Sequence, residues 1–132
     1  MKRRAYLKTM LAAGAAVPAV KAQAPPAHPI VLYVDMAVSP GKEKQFIGMF
    51  HNDFLPTAKK HEGFIDLKIV KLRKALQGVA PPGMNYRFQL TFASEELRQK
   101  WITSPDHQRV WPPMEATMID TKNYTVLLCD AL

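Results

Sequence analysis

The chain has 132 residues, 48% of them hydrophobic, and this size is typical of one compact domain. The formal net charge of +7 is concentrated at the start, because residues 1–22 hold five basic side chains and no acidic one. Without those five, the 18 basic residues fall to 13 against 11 acidic residues, which argues against a nucleic-acid-binding face. The single cysteine, Cys129, excludes an intramolecular disulfide and a Cys-rich zinc site.

Residues 1–22 are predicted to be an export signal. The basic start "MKRR" precedes the apolar stretch "TMLAAGAAVPAV", which is too short to span a bilayer, and we predict cleavage after Ala22. The run from Arg3 to Lys8, "RRAYLK", resembles a twin-arginine signal, and an ordinary secretory signal is the alternative. The resemblance implies export of the folded protein to the periplasm or the medium, with no stable membrane anchor after cleavage.

The first predicted strand and helix follow a Pro-rich extended segment, residues 23–29. The stretch "IVLYVDMAV", residues 30–38, alternates with two largely apolar faces, which predicts a strand that is covered on both sides. Residues 42–61 carry apolar side chains at helical spacing and predict a helix that Pro56 kinks or restarts. Gly63 is expected to cap the end of this helix.

Three further strands and two helices are predicted in the rest of the chain. The strands are residues 64–73, 86–92 and 123–130. Ser94 is expected to cap a helix that runs to about Thr103. Pro105 then begins a second short helix, residues 105–111, which Pro112-Pro113 should end.

The predicted order β-α-β-β-α-β indicates an α+β domain over residues 30–131 with a ferredoxin-like fold. Such a domain has an antiparallel sheet with its helices on one face. The other face is then expected to be open and apolar, and the same face of a second chain would cover it. We therefore predict a homodimer through the sheet faces.

Three stretches in this order resemble the antibiotic biosynthesis monooxygenase family. They are "SPGKEKQF" after the first strand, "HEGFIDLKI" leading into the second, and "FASEELRQKWITSPDHQRV" after the third. The resemblance implies a dimeric α/β barrel with a pocket between sheet and helices. It also implies the activity of the family's cofactor-free oxygenases, which act on phenols and quinols.

The haem-degrading members of that family are a poorer match. They use an Asn on the first strand, a Trp on the second helix, and a His about three helical turns after it. Trp101 matches the Trp, but Trp111 stands where the His belongs, and the first strand offers Val34 and Asp35 instead of Asn. Haem binding is therefore disfavoured, and no metal or other cofactor is expected.

His107 is the first catalytic candidate. His107 and Trp111 are four residues apart and share one face of the second short helix, where they could close the end of a pocket. An imidazole titrates near neutral pH, so His107 could act as a general base or acid. In the alternative interpretation, Trp101 fills the core and His107 donates a hydrogen bond to a backbone carbonyl.

Asp35 is the second catalytic candidate, because an acid within an apolar strand is costly unless it is paired or exposed. It could act as a base, or pair with Arg87 on the third strand. Tyr33 shares the strand face of Asp35 and could donate a hydrogen bond to a phenolic substrate. The substrate-binding candidates are Tyr33, Arg87, Trp101 and Trp111.

Two functions remain open from the sequence. The first is a cofactor-independent monooxygenase that acts on a small phenol or quinol, with a small aromatic molecule as its partner. The second is a non-catalytic dimeric barrel that binds a small apolar ligand. A His or Asp in a closed pocket would favour the enzyme, whereas an apolar pocket without a base would favour binding.

Overall fold

A computed structural model describes residues 27–132 of the chain. The predicted signal, residues 1–22, and the first part of the extended segment lie outside the described residues. Ala27, His28 and Pro29 have no regular structure and are exposed. Within the described part of the chain, no helix is both long and apolar enough to cross a membrane.

The described part of the chain has four strands, β1 (Ile30–Met36), β2 (Phe64–Lys71), β3 (Tyr86–Phe92) and β4 (Thr125–Asp130). They form one antiparallel sheet in the order β2-β3-β1-β4. The central strand β1 pairs with β3 through Val34 and Phe88, and with β4 through Val34 and Val126. The ferredoxin-like prediction is confirmed.

The first helical segment changes its geometry before Pro56. It consists of α1 (Glu43–Met49), a π-helical turn (Phe50–Phe54) and α2 (Leu55–Ala58). The amide of Leu55 donates to the carbonyl of Phe50, five residues back. Pro56 then lies in the first turn of α2, directly after the π-helical turn. The chain thus restarts its α-helix at the proline, one of the two predicted outcomes.

The second helical region contains α3 (Glu95–Ile102) and α4 (Pro105–Glu115). The prediction that Pro112 and Pro113 end α4 is wrong, because the helix continues for one residue beyond Met114. The missing N–H groups of the prolines leave the carbonyls of Gln108 and Arg109 free, and both of these residues are exposed, so water can hydrate them. The fully buried Met114 side chain holds the last turn against the core.

The core lies between the sheet and the helices. Alternate side chains of the sheet point towards it, and the helices contribute aromatic and aliphatic side chains. Its largest fully buried members are Trp101, Phe46, Phe50, Phe54, Phe92, Met36, Leu90 and Met114. Phe54 is central to this layer, because its ring contacts the rings of Phe88 and Trp101 at centroid distances of 5.3 and 5.7 Å.

The opposite face of the sheet is mixed, which corrects the expectation of an apolar face. The strand register places its side chains together: Val31, Tyr33, Asp35, Asp66, Lys68, Val70, Arg87, Gln89, Thr91, Thr125, Leu127 and Cys129. Polar groups occupy the whole of β3 on this side. The edge strand β4 is exposed at all six residues.

Candidate active site

A cavity of about 130 Å³ lies between the sheet and helices α3 and α4. Its walls are mostly aromatic and aliphatic, and they are formed by Leu32, Val34, Phe54, Phe88, Leu90, Arg98, Trp101, Ile102, His107, Trp111, Tyr124 and Val126. Val126 on β4 is 51% exposed, so the cavity opens beside this edge strand. Three of the predicted site residues, Trp101, His107 and Trp111, line it together.

Ser104 explains how Trp101 and His107 meet although Pro105 separates their helices. The Ser104 hydroxyl donates to the carbonyl of Trp101 at 2.6 Å and accepts from the amide of His107 at 3.2 Å. It therefore joins the end of α3 to the first turn of α4. The imidazole lies edge-on to the Trp101 ring at 5.0 Å and stacks on Trp111 at 6.3 Å.

The imidazole of His107 is a partly buried base without a hydrogen-bond partner among the described residues. Its Nδ1 atom is fully enclosed and makes no hydrogen bond, and Nε2 makes none with the described residues either. Because Nδ1 is enclosed, Nε2 is the nitrogen that a bound molecule can reach. Burial, and secondly the positive charge of Arg98, lower the pKa of His107 below its ordinary value of 6.5. The imidazole is therefore neutral at pH 7 and can accept a proton.

Two polar residues of the cavity were not predicted. Arg98 is 8% exposed, and its Nε and Nη2 atoms donate to the Glu95 carboxylate at 2.7 and 2.8 Å. The Tyr124 hydroxyl donates to Glu115 at 2.7 Å, and burial followed by this bond raises the pKa of Tyr124 to about 12. Tyr124 thus stays protonated. The spacing of Arg98, one turn before Trp101 on the same helix, is the signal that could have identified it.

Asp35, Tyr33 and Arg87 lie together on the opposite face of the sheet and do not line the cavity. Asp35 is 6% exposed, and Arg87 donates to both its carboxylate oxygens at 2.7 and 3.0 Å. The guanidinium also lies over the Tyr33 ring, 5.0 Å from its centroid. The predicted pairing of Asp35 with Arg87 is therefore present in this structure, and the sheet separates Asp35 from His107.

No group of three or more His, Cys, Asp or Glu side chains that could hold a metal ion occurs among residues 27–132. The ionisable groups that line the cavity among the described residues are the imidazole of His107, the guanidinium of Arg98 and the phenol of Tyr124, and the rest of the wall is aromatic and aliphatic. Such a set can accept a proton from a ligand and stabilise a negative charge on it.

Solved structures with the same fold include an oxygenase. A candidate antibiotic biosynthesis monooxygenase from Caulobacter crescentus is 14% identical, with a TM-score of 0.65, over 80% of this chain and 92% of that one. SnoaB, a cofactor-independent oxygenase from Streptomyces nogalater, is 12% identical with a TM-score of 0.56, over 79% and 91%. A dimeric ferredoxin-like protein of unknown function from Jannaschia is 16% identical with a TM-score of 0.63, over 79% and 98%.

At these identities the likeness establishes the fold that the chain shares with antibiotic biosynthesis monooxygenases, and the site must supply the argument for chemistry. No family model matches the sequence, and none of the curated proteins gives a significant match.

Proposed function

We propose that the protein is a cofactor-independent monooxygenase that oxidises a small phenol or quinol in the cavity between sheet and helices. The observation that carries the proposal is His107, a neutral imidazole in an aromatic cavity with no hydrogen bond to any described residue. A buried polar atom without a partner costs about 1–3 kcal/mol. The enclosed Nδ1 stays unpaired, whereas a ligand that donates an O–H to the reachable Nε2 would give the imidazole a hydrogen bond that no described residue supplies.

The cavity favours a substrate with a single ring. Its volume of about 130 Å³ is close to that of an apolar protein cavity, roughly 150 Å³, that binds benzene. The rings of Phe54, Trp101 and Trp111 surround the imidazole at centroid distances of 5.0 to 6.5 Å. These walls suit an aromatic ring.

The proposed reaction uses the substrate as the source of electrons. His107 takes the hydroxyl proton, and the phenolate transfers one electron to dioxygen, which leaves a phenoxyl radical and superoxide. These two combine at a ring carbon to form a peroxide anion, which recovers the proton from His107. Loss of water then gives the quinone, so that one phenol and one dioxygen yield one quinone and one water.

Oxygen uptake tests the proposal. The purified protein should consume dioxygen with a reactive monocyclic phenol or quinol faster than the buffer's own autoxidation. With a phenol, ¹⁸O₂ should place one labelled oxygen in the quinone. His107→Ala should slow the reaction by roughly 100-fold or more, the usual contribution of a positioned base. The matched control is His51→Ala, because His51 is exposed on the π-helical turn and does not line the cavity.

Binding without turnover is the competing outcome. A protein that binds the phenol but consumes no oxygen above autoxidation would be a ligand-binding barrel. Equal uptake by wild type and His107→Ala would remove His107 from the mechanism.

The homodimer and the export route remain parts of this proposal. The exposed edge strand β4 and the exposed Leu127 on the open face support a partner there, as does the dimeric ferredoxin-like neighbour. Light scattering should give twice the monomer mass, and a monomer at micromolar concentration would contradict the dimer.

Replacement of Arg3 and Arg4 by lysine should abolish periplasmic export, and undiminished export would contradict the twin-arginine route.

A further inference from the structure

Arg98 is a buried cation that takes no part in the proposed reaction. Its side chain lines the same cavity as His107, and it lies one helical turn before Trp101, whose ring contacts the imidazole at 5.0 Å. Both of its hydrogen bonds go to Glu95, through Nε and Nη2. Nη1 makes no hydrogen bond with the described residues and keeps its donors free.

The ion pair with Glu95 does not remove the positive character of this end of the cavity. The Glu95 side chain is 37% exposed, so water screens the carboxylate, whereas the side chain of Arg98 is 9% exposed. The charge of Arg98 also reaches His107, where it contributes to the lowered pKa. A guanidinium in such a place stabilises a negative charge that forms on a bound ligand.

We propose that Arg98 is the oxyanion-binding residue of the cavity, and that the ligand is an aromatic alcohol held as its anion. The division of roles follows from the chemistry of the two side chains. A guanidinium has only donors and keeps its charge, so it cannot take the proton but can bind the anion. The neutral imidazole has a free lone pair, so it takes the proton. This inference deepens the proposed function, but it concerns binding and does not require turnover.

The test uses 4-nitrophenol, whose anion absorbs visible light and whose nitro group makes the ring resistant to oxidation. The absorbance of the bound probe, titrated with the purified protein, reports the pH at which the probe ionises. Bound to the wild type, the probe should ionise at a lower pH than in free solution. Other ionisable groups at or beside the cavity include His107, Tyr124, Glu95, Glu115 and the His61–Asp106 pair against Trp101. Each variant is therefore compared with the wild type over the same pH range.

Arg98→Met should raise the pKa of the bound probe by about 1 unit, a tenfold change in the ratio of anion to neutral probe. This shift is at the lower end of the range that a nearby opposite charge usually causes, because the Glu95 carboxylate offsets part of the positive charge of Arg98. Arg98→Lys should restore most of the effect. Lys100→Met is the matched control, because it removes a cation from the same helix at an exposed position that does not line the cavity.

A second variant keeps the proposal testable if Arg98→Met does not fold. Glu95→Gln removes the competing negative charge, so the pKa of the bound probe should fall below the wild-type value. The proposal is overturned if the wild type does not bind the probe, if Arg98→Met behaves like Lys100→Met, or if Glu95→Gln leaves the probe unchanged. If the protein binds the probe as its anion but consumes no oxygen, this inference stands and the proposed oxygenase activity is wrong.

Discussion

His107→Phe should make the protein more stable and nearly inactive. The imidazole contacts Trp101 edge-on and stacks on Trp111, and a phenyl ring can keep both contacts. The enclosed Nδ1 has no hydrogen bond to any described residue, so the substitution removes a polar atom that destabilises the folded state. A base that the fold holds at a cost to stability is the pattern expected of a catalytic residue.

The magnitude follows from the desolvation of one nitrogen. An enclosed polar atom without a partner costs about 1–3 kcal/mol. The phenyl ring is larger than the imidazole, so some side chains must shift into the adjoining cavity, and this repacking offsets part of the gain. We expect the free energy of unfolding to rise by about 1 kcal/mol. In a domain of about 100 residues that corresponds to a rise in Tm of roughly 4 °C or more.

Urea unfolding and oxygen uptake on the same preparation provide the measurement. It should be made near pH 8, where His107 is neutral and its protonation does not contribute to stability. Turnover should fall by roughly 100-fold or more. His51→Phe is the matched control, because this exposed position should change neither quantity by a large amount. A loss of stability together with unchanged turnover would refute the reasoning and make His107 a packing residue.

Three further predictions concern the site and its support. The pKa of His107 is lowered below 6.5, so a plot of kcat/KM against pH should reach half its plateau value only below pH 6.5. A midpoint of that plot above pH 6.5 would exclude His107 as the base. Ser104→Ala breaks the bonds to Trp101 and His107, and should cost about 1 kcal/mol in urea unfolding and lower kcat; undiminished stability would show that the cap is dispensable. Gly63→Ala places a Cβ 2.6 Å from Leu97 Cδ1 at a φ of +88°, and should destabilise the fold by about 2 kcal/mol or more; an unchanged urea midpoint would contradict it.

Local patterns predicted the elements well because their causes are local. The alternation over residues 86–92 reproduces β3 at both ends, since the buried members share one face of the strand. Ser94 accepts from the amide of Leu97 as an N-terminal cap should. The extent of α4 was not predictable in this way, because hydration of exposed carbonyls and burial of Met114 decide whether the prolines end the helix.

The candidate site was likewise predictable only where the causes are local. The sequence by itself placed His107 and Trp111 on one helical face, because four residues make about one turn. It could not place Trp101 beside them, because Pro105 separates helix α3 from helix α4. The angle between these two helices depends on the hydrogen bonds of Ser104 to Trp101 and His107, which the sequence does not reveal. Only the tertiary structure decided which groups share the cavity. Strand alternation puts Asp35 on the face away from the helices, whereas helix packing brings His107 to the opposite face, beside Arg98.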